Sequence, residues 1–359
     1  MSSFKRGDMM NIANVSKSIG MDFDSNEIRI VQGKASKKGI IINKHFSIKI
    51  PREVYQDGVI KDMEQLSYIV KDGLDANGVS SGNVHAVINS SIIIIREVGF
   101  PKVDKEDIDN LIEYQLGDFV PIHPEDYVVK YINLGSFMDD GVEKLNMLII
   151  GVPKDVVEDH FNLIKGLGLK PVVMDYKGNA ISKLLNYGEE INNQIVKGKT
   201  LGLLDLSYES TTFTVVKDEL IEVSRLIEGG IYEVIDIFKD KFSFSEEQTL
   251  DWFKKIADMG GLVEVHDDPK VEELKSSIKE IAAKIEMVVR YYHTREIENN
   301  IDLFVLHGPL ATVNGMEKFF SDLFNIPCIS LQSVEKLKFE GDLSKYGNAI
   351  GGLIRVNGV

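Results

Sequence analysis

The chain has 359 residues, of which 43% are hydrophobic and 27% are charged, a composition typical of globular proteins. Its net charge of −15, from 41 Lys and Arg against 56 Asp and Glu, repels nucleic acid and anionic lipid head groups and argues against both as direct partners. The single cysteine, Cys328, excludes an internal disulfide and indicates a reducing compartment. The length predicts two domains or lobes.

No segment of the sequence indicates a membrane span or a secretion signal. The longest apolar runs, IIII (92–95) and MLIIGVP (147–153), are long enough for strands and too short to cross a bilayer. Residues 1–16 are polar and lack the apolar core of a signal peptide, so we predict a disordered tail there. We therefore expect a cytoplasmic protein.

The first half of the chain alternates predicted strands and helices. Two antiparallel strands (19–33 and 40–50) open it. The later elements are, in order, a helix at 63–78 ending at a glycine, strand residues at 84–100, an amphipathic helix at 105–120, two strands at 126–134 and 144–153, a helix at 154–168, a strand at 171–176 and a helix at 177–188.

The second half follows a polar passage at 189–199 and begins with another hairpin, 201–221. The longest predicted helix, 271–296, carries apolar residues at alternating steps of three and four, a pattern that fits either a coiled coil or, as we favour, a helix packed on its own domain. The other elements are helices at 231–242, 244–261, 314–324 and 345–356 and strands at 303–309 and 329–331.

The two halves begin with the same kind of hairpin. In GMDFDSNEIRIVQ and LLDLSYESTTFTVV an apolar strand ends at a carboxylate, Asp22 or Asp205, and a polar turn leads into a second apolar strand. Turn hydroxyls of this kind often bond to their own backbone. The alternative is a phosphate clamp, in which turn amides and hydroxyls hold phosphate oxygens while the aspartate faces a metal ion.

A third element, VLHGPLATVNG (305–315), reads as strand, glycine and helix. With the two hairpins it resembles the actin-like ATPase superfamily of actin, heat-shock chaperones, sugar kinases and FtsA. The resemblance implies an α/β fold of two lobes, of the actin-like and RNase H-like type, with a small α/β subdomain inserted in the first lobe. It also implies that the hairpins grip phosphates, that their aspartates hold Mg²⁺ through water, and that the third element cradles adenosine.

The middle of the first half is similar to one family in this superfamily. REVGFPKVDKEDIDNLIEYQLGDFVPIHPEDYVVKY (96–131) and LIIGVPKDVVEDHFNLIKGLGLKPVVMDYKGNAISKLL (148–185) resemble PilM, the actin-like protein of type IV pilus assembly. The resemblance covers roughly residues 17–356. It divides the chain into a tail (1–16), a first-lobe core (17–95), an inserted subdomain (96–170), a return to the first lobe with a linker (171–196), a second-lobe core (197–228), a second-lobe subdomain (229–299), more second-lobe core (300–335) and a return to the first lobe (336–359).

By the same resemblance, ATP and Mg²⁺ are the candidate cofactors. Asp22 and Asp205 would face the metal ion through water, and no catalytic residue is assigned. The candidate nucleotide-binding residues are Asp22, Ser25, Asn26, Arg29, Asp205, Ser207, Ser210, Thr211, Thr212, Gly229, Gly230 and Gly308.

The clamps depart from the family pattern. The first clamp of the family runs Asp-x-Gly-Ser, because glycine lets bare backbone amides approach the phosphates. Here Asp24 stands in place of that glycine, and Arg29 replaces a lysine that often follows. In the second clamp Ser207 replaces glycine, and Tyr208 and Glu209 add bulk and another carboxylate.

Other positions that face the nucleotide depart as well. The Gly-Gly pair of the adenosine element is reduced to Gly308, followed by Pro309 and Leu310. An Arg-Ser pair of relatives falls on Met287 and Val288, and a linker-helix acid that would position attacking water falls on Lys177. We therefore predict that ATP binds weakly or not at all and that the chain is not a useful ATPase.

Binding is then the expected function. The resemblance implies a scaffold on the inner-membrane platform of the type IV pilus, together with other platform proteins and with a homo-oligomeric ring as one form of assembly. It would capture the N-terminal cytoplasmic peptide of a PilN-like membrane protein in a groove on the inserted subdomain, and reach the membrane through that partner. Our candidate groove residues are Phe119, Pro121, Ile122 and Tyr131.

Three alternatives stay open from the sequence. An active ATP-hydrolysing switch, or a sugar kinase, would need intact phosphate loops. A cell-division scaffold like FtsA would end in an amphipathic membrane helix, for which the residues after Gly352 leave no room. The cytoplasmic part of a type II secretion platform protein would continue into a transmembrane helix.

Overall fold

The computed structural model describes residues 17–104, 107–119, 123–255, 268–295 and 298–355. The predicted tail at 1–16 lies outside these residues. The strands, in chain order, are β1 (Ser18–Phe23), β2 (Glu27–Ser36), β3 (Gly39–Lys49), β4 (Tyr55–Gln56), β5 (Val59–Ile60), β6 (Asn83–Ile88), β7 (Ile94–Pro101), β8 (Tyr127–Asp139), β9 (Val142–Pro153), β10 (Lys170–Tyr176), β11 (Glu190–Ile191), β12 (Gln194–Ile195), β13 (Leu201–Leu206), β14 (Ser210–Lys217), β15 (Leu220–Glu228), β16 (Leu303–His307), β17 (Cys328–Ser330) and β18 (Leu337–Lys338). The helices are α1 (Met63–Ala76), α2 (Ile108–Phe119), α3 (Lys154–Gly166), α4 (Lys177–Leu185), α5 (Ile231–Phe242), α6 (Glu246–Lys255), α7 (Pro269–Arg295), α8 (Met316–Phe324) and α9 (Leu343–Gly352).

The first lobe is built on a six-stranded sheet in the order β10-β6-β1-β2-β3-β18. The predicted hairpins are confirmed, since β1, β2 and β3 pair antiparallel in sequence, while β6 and β10 run parallel to β1. One face packs against apolar residues of α1 and α3, and the other packs against α4 and α9. Because both faces are covered, every residue of β1 is buried.

The second lobe is built on a five-stranded sheet in the order β15-β14-β13-β16-β17. Residues of α5, α7 and α8 form the core on one of its faces. The predicted packing of α7 on its own domain is confirmed, because the apolar seam of the helix lies inside that core. The other face shares a hydrophobic cluster with α4 and α9, so these two helices lie between the sheets of the two lobes.

An inserted subdomain follows β6. It consists of a three-stranded antiparallel sheet in the order β7-β9-β8, with α2 packed on it over a small core of its own. It also contacts the second lobe: Glu97 of β7 pairs with Arg295 at the end of α7, and the Arg225 Nη1 of β15 donates to the Ile95 carbonyl at 3.0 Å. The insert therefore touches both lobes.

Helices α4 and α9 approach each other closely because both carry small residues. A Cβ added to Gly351 of α9 would lie 2.0 Å from the carbonyl oxygen of Ala180 in α4. A Cβ on Gly20 of β1 would lie 2.1 Å from the Ala349 carbonyl oxygen of α9. Only glycine permits backbones to meet at this distance, so α9 is wedged between β1 and α4.

One predicted element divides into two. The strand residues predicted at 84–100 belong to two strands, since β6 ends at Ile88 and β7 begins at Ile94, in a different sheet. The polar residues between them make a turn, in which the Ile93 N–H donates to the Ser90 carbonyl at 3.2 Å. The serines favour a turn, and this turn ends the first strand although an apolar run follows it.

Ser245 caps the start of α6. The Gln248 N–H donates to the Ser245 hydroxyl at 3.2 Å, and the Ser245 N–H donates to the Gln248 side-chain oxygen at 2.8 Å. This reciprocal pair satisfies two amides that the first turn leaves free.

Among the helices of the described residues, none is long and apolar enough to cross a membrane.

We expect the stability of the first lobe to fall as the pH drops from about 6.5 to about 4. Burial lowers the pKa of His160 to about 4, and the ring is held neutral with Nδ1 donating to the Val156 carbonyl at 2.7 Å and Nε2 accepting from the Tyr55 hydroxyl at 3.1 Å. The unfolded chain binds this proton first, so the loss reaches about 3 kcal/mol at the lower pH.

Urea unfolding at pH 7, 5.5 and 4.5 measures this dependence. A His160→Gln variant should lose part of it, and the same replacement at the exposed His45 serves as the control. An unchanged pH profile in His160→Gln would contradict the assignment.

Candidate functional site

The two predicted clamps face each other across the cleft between the lobes. Asp22 lies near the end of β1, and Asp205 lies near the end of β13, each followed by a tight turn into an antiparallel partner. Asp205 is in register with His307 of the parallel β16, and the glycine of the third element comes next. Lys177 is the first residue of α4, directly after β10. All these side chains converge because the strands end at the same cleft.

Lys177 lies at the centre of the site. Its Nζ donates to the Asp24 carboxylate at 3.0 Å and to the Ser207 hydroxyl at 2.8 Å. The same atom lies 4.0 Å from Asp22 and 3.9 Å from Asp205. The side chain is 1% exposed. One buried ammonium group therefore lies within ion-pair distance of carboxylates from both lobes.

Arg29 supplies a second buried cation on the first-lobe side. Its Nη1 lies 3.0 Å from Asp22 and 3.1 Å from Asp24, and its Nε lies 2.9 Å from Glu27. Lys345 of α9 closes the group with a 2.7 Å ion pair to Glu27. Each carboxylate in this group thus has a cation within bonding distance.

Asp205 is held by neutral partners as well. The Ser207 hydroxyl donates to its Oδ1 at 2.7 Å, and the Asn348 amide of α9 donates to its Oδ2 at 2.8 Å. The Nδ1 of His307 lies 3.8 Å from the carboxylate. Within the described residues, neither ring nitrogen of His307 has a hydrogen-bond partner. Both Asp205 oxygens are therefore occupied by the chain itself.

Glu209, at the tip of the second clamp, reaches across the cleft. Its carboxylate accepts from the Ser25 hydroxyl and from the Asp57 N–H at 3.1 Å, and it pairs with Arg52. The Arg52 guanidinium also lies 4.0 Å from the centre of the Tyr232 ring of α5. These contacts join a second-lobe turn to three parts of the first lobe.

The remaining clamp residues make ordinary turn and strand contacts. The Thr211 hydroxyl donates to the Gly229 carbonyl at 2.9 Å, and the Thr212 hydroxyl accepts from the Asn89 amide at 2.7 Å. Ser210 begins β14 and is paired with Glu228. Asn26 lies in the first turn, where its carbonyl accepts from the Ile50 N–H at 3.0 Å.

Two of the predicted glycines allow close approach at the cleft. Gly308 has φ +90°, and a Cβ there would lie 2.8 Å from Asp205 Oδ1. A Cβ on Gly230 would lie 2.5 Å from the Tyr208 carbonyl oxygen, which the first turn of α5 uses as an acceptor. Leu310 is fully buried in the second-lobe core. Met287 on α7 is exposed, and Val288 packs against that core.

The pKa shifts follow from burial and from the two cations. Burial acts to raise the pKa of Asp24, but Lys177 and Arg29 outweigh it and hold that pKa below its usual range. Asp205 behaves likewise, with Lys177 the main opposing charge. Burial raises the pKa of Asp22 above its usual range, against the charges of Lys177 and Arg29. Burial acts to lower the pKa of Lys177, but the surrounding carboxylates outweigh burial and hold that pKa above its usual range.

This arrangement does not fit a metal-bound triphosphate. The two aspartates predicted to face a metal ion already share the ammonium of Lys177, and the turn predicted to hold phosphate already bonds to Glu209. In the part of the chain that the structure describes, no three His, Cys, Asp or Glu side chains are grouped to hold a metal ion. Both side chains would have to move before a metal and a phosphate could enter.

A separate apolar groove lies between the inserted subdomain and the first lobe. Its cavity volume is about 430 Å³. Its walls come from β8 and β9 of the insert, from α3, from β10 and α4, and from the β14–β15 turn. The residues that line it and carry apolar side chains are Ile88, Val128, Tyr131, Ile132, Ile150, Val152, Val157, Phe161, Val173, Met174, Tyr176, Leu220, Ile221 and Ile354.

Of the four residues predicted to form the partner groove, the structure describes the side chain of Tyr131 alone. Tyr131 lines the cavity, and its hydroxyl donates to Asp109 of α2 at 2.8 Å. Pro121 and Ile122 lie outside the described residues, as does the side chain of Phe119, whose backbone ends α2. All four residues remain predictions as contacts of a partner.

Two edge strands contribute residues to the groove. In the sheet order, β8 is one of the two outer strands of the insert and β10 is one of the two outer strands of the first-lobe sheet. Residues of both line the cavity, in particular Val128 and Ile132 of β8 and Val173 of β10. An edge strand presents backbone N–H and C=O groups that can pair with an added extended chain.

The contacts of Lys177 and Glu209 across the cleft are not predicted by the sequence. From the sequence, Lys177 is interpreted only as the loss of an acid, and Glu209 only as a further carboxylate at a turn made bulkier by Tyr208. Arg52 and Asp57 were not singled out at all. The hydrogen bonds of these side chains join residues that are 30 to 184 positions apart in the chain, so a local sequence pattern cannot predict them.

The sheets, the inserted subdomain and the facing hairpins together define an actin-like protein of two lobes with a small α/β subdomain in the first lobe. Two solved structures show the same fold: EutJ from Carboxydothermus hydrogenoformans, at TM-score 0.55, 12% identity and coverage of 96% of this chain and 92% of that chain, and MreB 5 of Spiroplasma citri bound to AMPPNP, at TM-score 0.51, 12% identity and coverage of 94% and 95%.

The chain belongs to the type IV pilus assembly protein PilM family, whose model matches residues 20–347. A solved PilM-PilN type IV pilus biogenesis complex is similar to it in fold, with TM-score 0.76, 13% identity and coverage of 94% of this chain and 98% of that chain. No curated protein matches the sequence.

Proposed function

We propose that this protein is a scaffold of the type IV pilus inner-membrane platform and binds the N-terminal cytoplasmic peptide of a PilN-like membrane protein. The observation that carries the proposal is the apolar groove between the insert and the first lobe. Family membership supplies the pilus context, and the similar solved structure is a complex of PilM with PilN. Association with the membrane would come through this partner.

The groove has the size and chemistry for a peptide. At about 430 Å³ it lies in the range of about 300–1,000 Å³ that is usual for ligand sites. Phe161 of α3 and Val128 of β8 offer partly exposed apolar surface from opposite walls. Aliphatic and aromatic anchors of this kind give a bound peptide most of its affinity.

Backbone pairing would set the register of the peptide. An extended chain that adds to the edge of β8 or of β10 places alternate side chains toward the groove and toward solvent. Polar groups are present at the rim and floor, where Lys183 forms a 2.6 Å ion pair with Asp175. The groove therefore combines apolar anchoring with a few charged groups that restrict orientation.

We further propose that the protein binds ATP weakly or not at all and does not use its hydrolysis. The support is the buried charge network of the cleft, in which Lys177 and Glu209 occupy the groups predicted to hold metal and phosphate. A second negative charge placed about 4 Å from a phosphate costs on the order of 4 kcal/mol at an effective dielectric near 20, and Asp24 and Glu209 are both candidates for that position.

Isothermal titration tests both proposals together. The peptide should be the N-terminal cytoplasmic segment of a single-span membrane protein encoded beside this chain, titrated with and without Mg-ATP. We expect one-to-one binding that Mg-ATP does not change. Failure of the peptide to bind would refute the scaffold assignment, whereas tight Mg-ATP binding with turnover would support an ATP-driven switch instead.

A further inference from the structure

The cleft contains a cation and an anion that belong to the chain itself and come from opposite lobes. Lys177 starts α4 of the first lobe and donates to Ser207 of the second. Glu209 lies in the second lobe and accepts from Ser25 and Asp57 of the first. Each side chain therefore bridges the cleft.

Lys177 has the surroundings of a bound cation. Three carboxylates of Asp22, Asp24 and Asp205 lie within 4.0 Å of its Nζ, and each of the three is at most 7% exposed. Buried carboxylates this close repel one another and cannot all stay ionised without positive charge among them. Arg29 reaches only the first-lobe pair directly, so Lys177 is the cation that Asp205 shares with them.

Glu209 has the surroundings of a bound anion. Its carboxylate accepts from one hydroxyl, one backbone N–H and one guanidinium, contributed by Ser25, Asp57 and Arg52. Donors of these three kinds also hold phosphate oxygens, because charge-assisted bonds to an anion are stronger than neutral ones. The Glu209 side chain is largely buried, with 16% of its surface exposed.

We propose that Lys177 and Glu209 are internal ligands that close the cleft in place of a metal ion and a phosphate group. The lobes then stay together without nucleotide, and the closed arrangement is a property of the folded chain. This inference rests on the proposed weakness of nucleotide binding and adds to it the groups that make nucleotide unnecessary.

The anion half is tested by removing Glu209 and supplying an external anion. In Glu209→Ala the hydroxyl, the N–H and the guanidinium lose their acceptor, so the melting temperature should fall. Millimolar inorganic pyrophosphate, which supplies an acceptor, should raise the melting temperature of the variant by about 2–4 °C. The wild-type protein should not respond. Glu143→Ala is the matched control, because Glu143 also accepts from a serine hydroxyl and pairs with a cation, but on the surface of the insert.

The cation half is tested with Lys177→Met, which keeps the length of the side chain and removes its charge. We expect this variant to melt lower than wild type in EDTA and to recover by about 2–4 °C in millimolar MgCl₂, since the aspartates regain a cation. Magnesium should leave the wild-type melting temperature unchanged.

Lobe opening is measured separately by hydrogen exchange. In Glu209→Ala the peptides that cover 22–29 and 205–212 should exchange at least about tenfold faster than in wild type, and pyrophosphate should slow them again. Glu143→Ala should match wild type in both segments.

The outcomes separate this inference from the proposed function. If Glu209→Ala is folded and neither opens nor responds to pyrophosphate, the internal-ligand inference is wrong, whatever Lys177→Met does. If Lys177→Met does not fold, the Glu209 experiments decide alone. If wild type itself is stabilised by Mg-ATP, the proposed weakness of nucleotide binding fails first, and a failure of peptide binding leaves this inference untouched.

Discussion

Replacing Val128 with aspartate should weaken binding of the partner peptide by at least about 30-fold, which corresponds to about 2 kcal/mol. Val128 lies on β8 in the wall of the groove, with 38% of its side chain exposed. A carboxylate there must lose hydration when an apolar anchor covers it. Titration of the peptide into the variant measures the loss.

Val142→Asp provides the matched control. Val142 is on β9, in the same hairpin, and is 57% exposed at its far end, away from the residues that line the groove. The same change of charge and volume there should leave affinity within about twofold of wild type. Equal weakening by both variants would show that charge on the insert, and not the groove, controls binding.

Gly351→Ala should destabilise the protein by about 3 kcal/mol, at the upper end of what overpacking usually costs. Its new methyl group would lie 2.0 Å from the Ala180 carbonyl oxygen, which belongs to the backbone of α4, and the two helices are packed between the lobes. Relief requires α9 to move away from α4 or from β1. Urea unfolding followed by circular dichroism measures the change.

The same substitution at Gly166 is the control. Gly166 ends α3, and a Cβ there meets nothing within 4 Å. Gly166→Ala should therefore be neutral or stabilise the protein by up to about 1 kcal/mol, since alanine costs less backbone entropy in a helix than glycine. A similar loss in both variants would contradict the close-contact explanation.

Much of the fold could be predicted from local pattern. The two hairpins after Asp22 and Asp205 follow from apolar strands that flank polar turns, and the long helix follows from its apolar seam. The division of 84–100 into strands of two sheets could not be predicted, because Ile92 to Ile95 continue the apolar run past the turn. Pairing partners depend on distant chain, which the local sequence does not specify.

The sequence predicts where the candidate site lies, but it does not predict that the charged side chains there are paired with one another. The aspartates of both clamps lie within 4.0 Å of the Lys177 Nζ at one cleft, as the facing hairpins predict. The departure of Asp24 and Glu209 from the family pattern stays a prediction. The ion pair of Lys177 with Asp24 joins positions 153 apart, and it exists only because β10 and β1 end at the same cleft. Compensation of a buried charge is a three-dimensional property.

The contact of the insert with the second lobe has a consequence for recognition. Glu97 and Ile95 attach the insert to Arg295 and Arg225, whereas the opposite wall of the groove, β10, belongs to the sheet of the first lobe. A change in the angle between the lobes that carries the insert along with the second lobe would therefore alter the width of the groove. A cleft locked by its own charges would keep that width constant, so the partner would meet a receptor already shaped for it, at a low entropic cost of association.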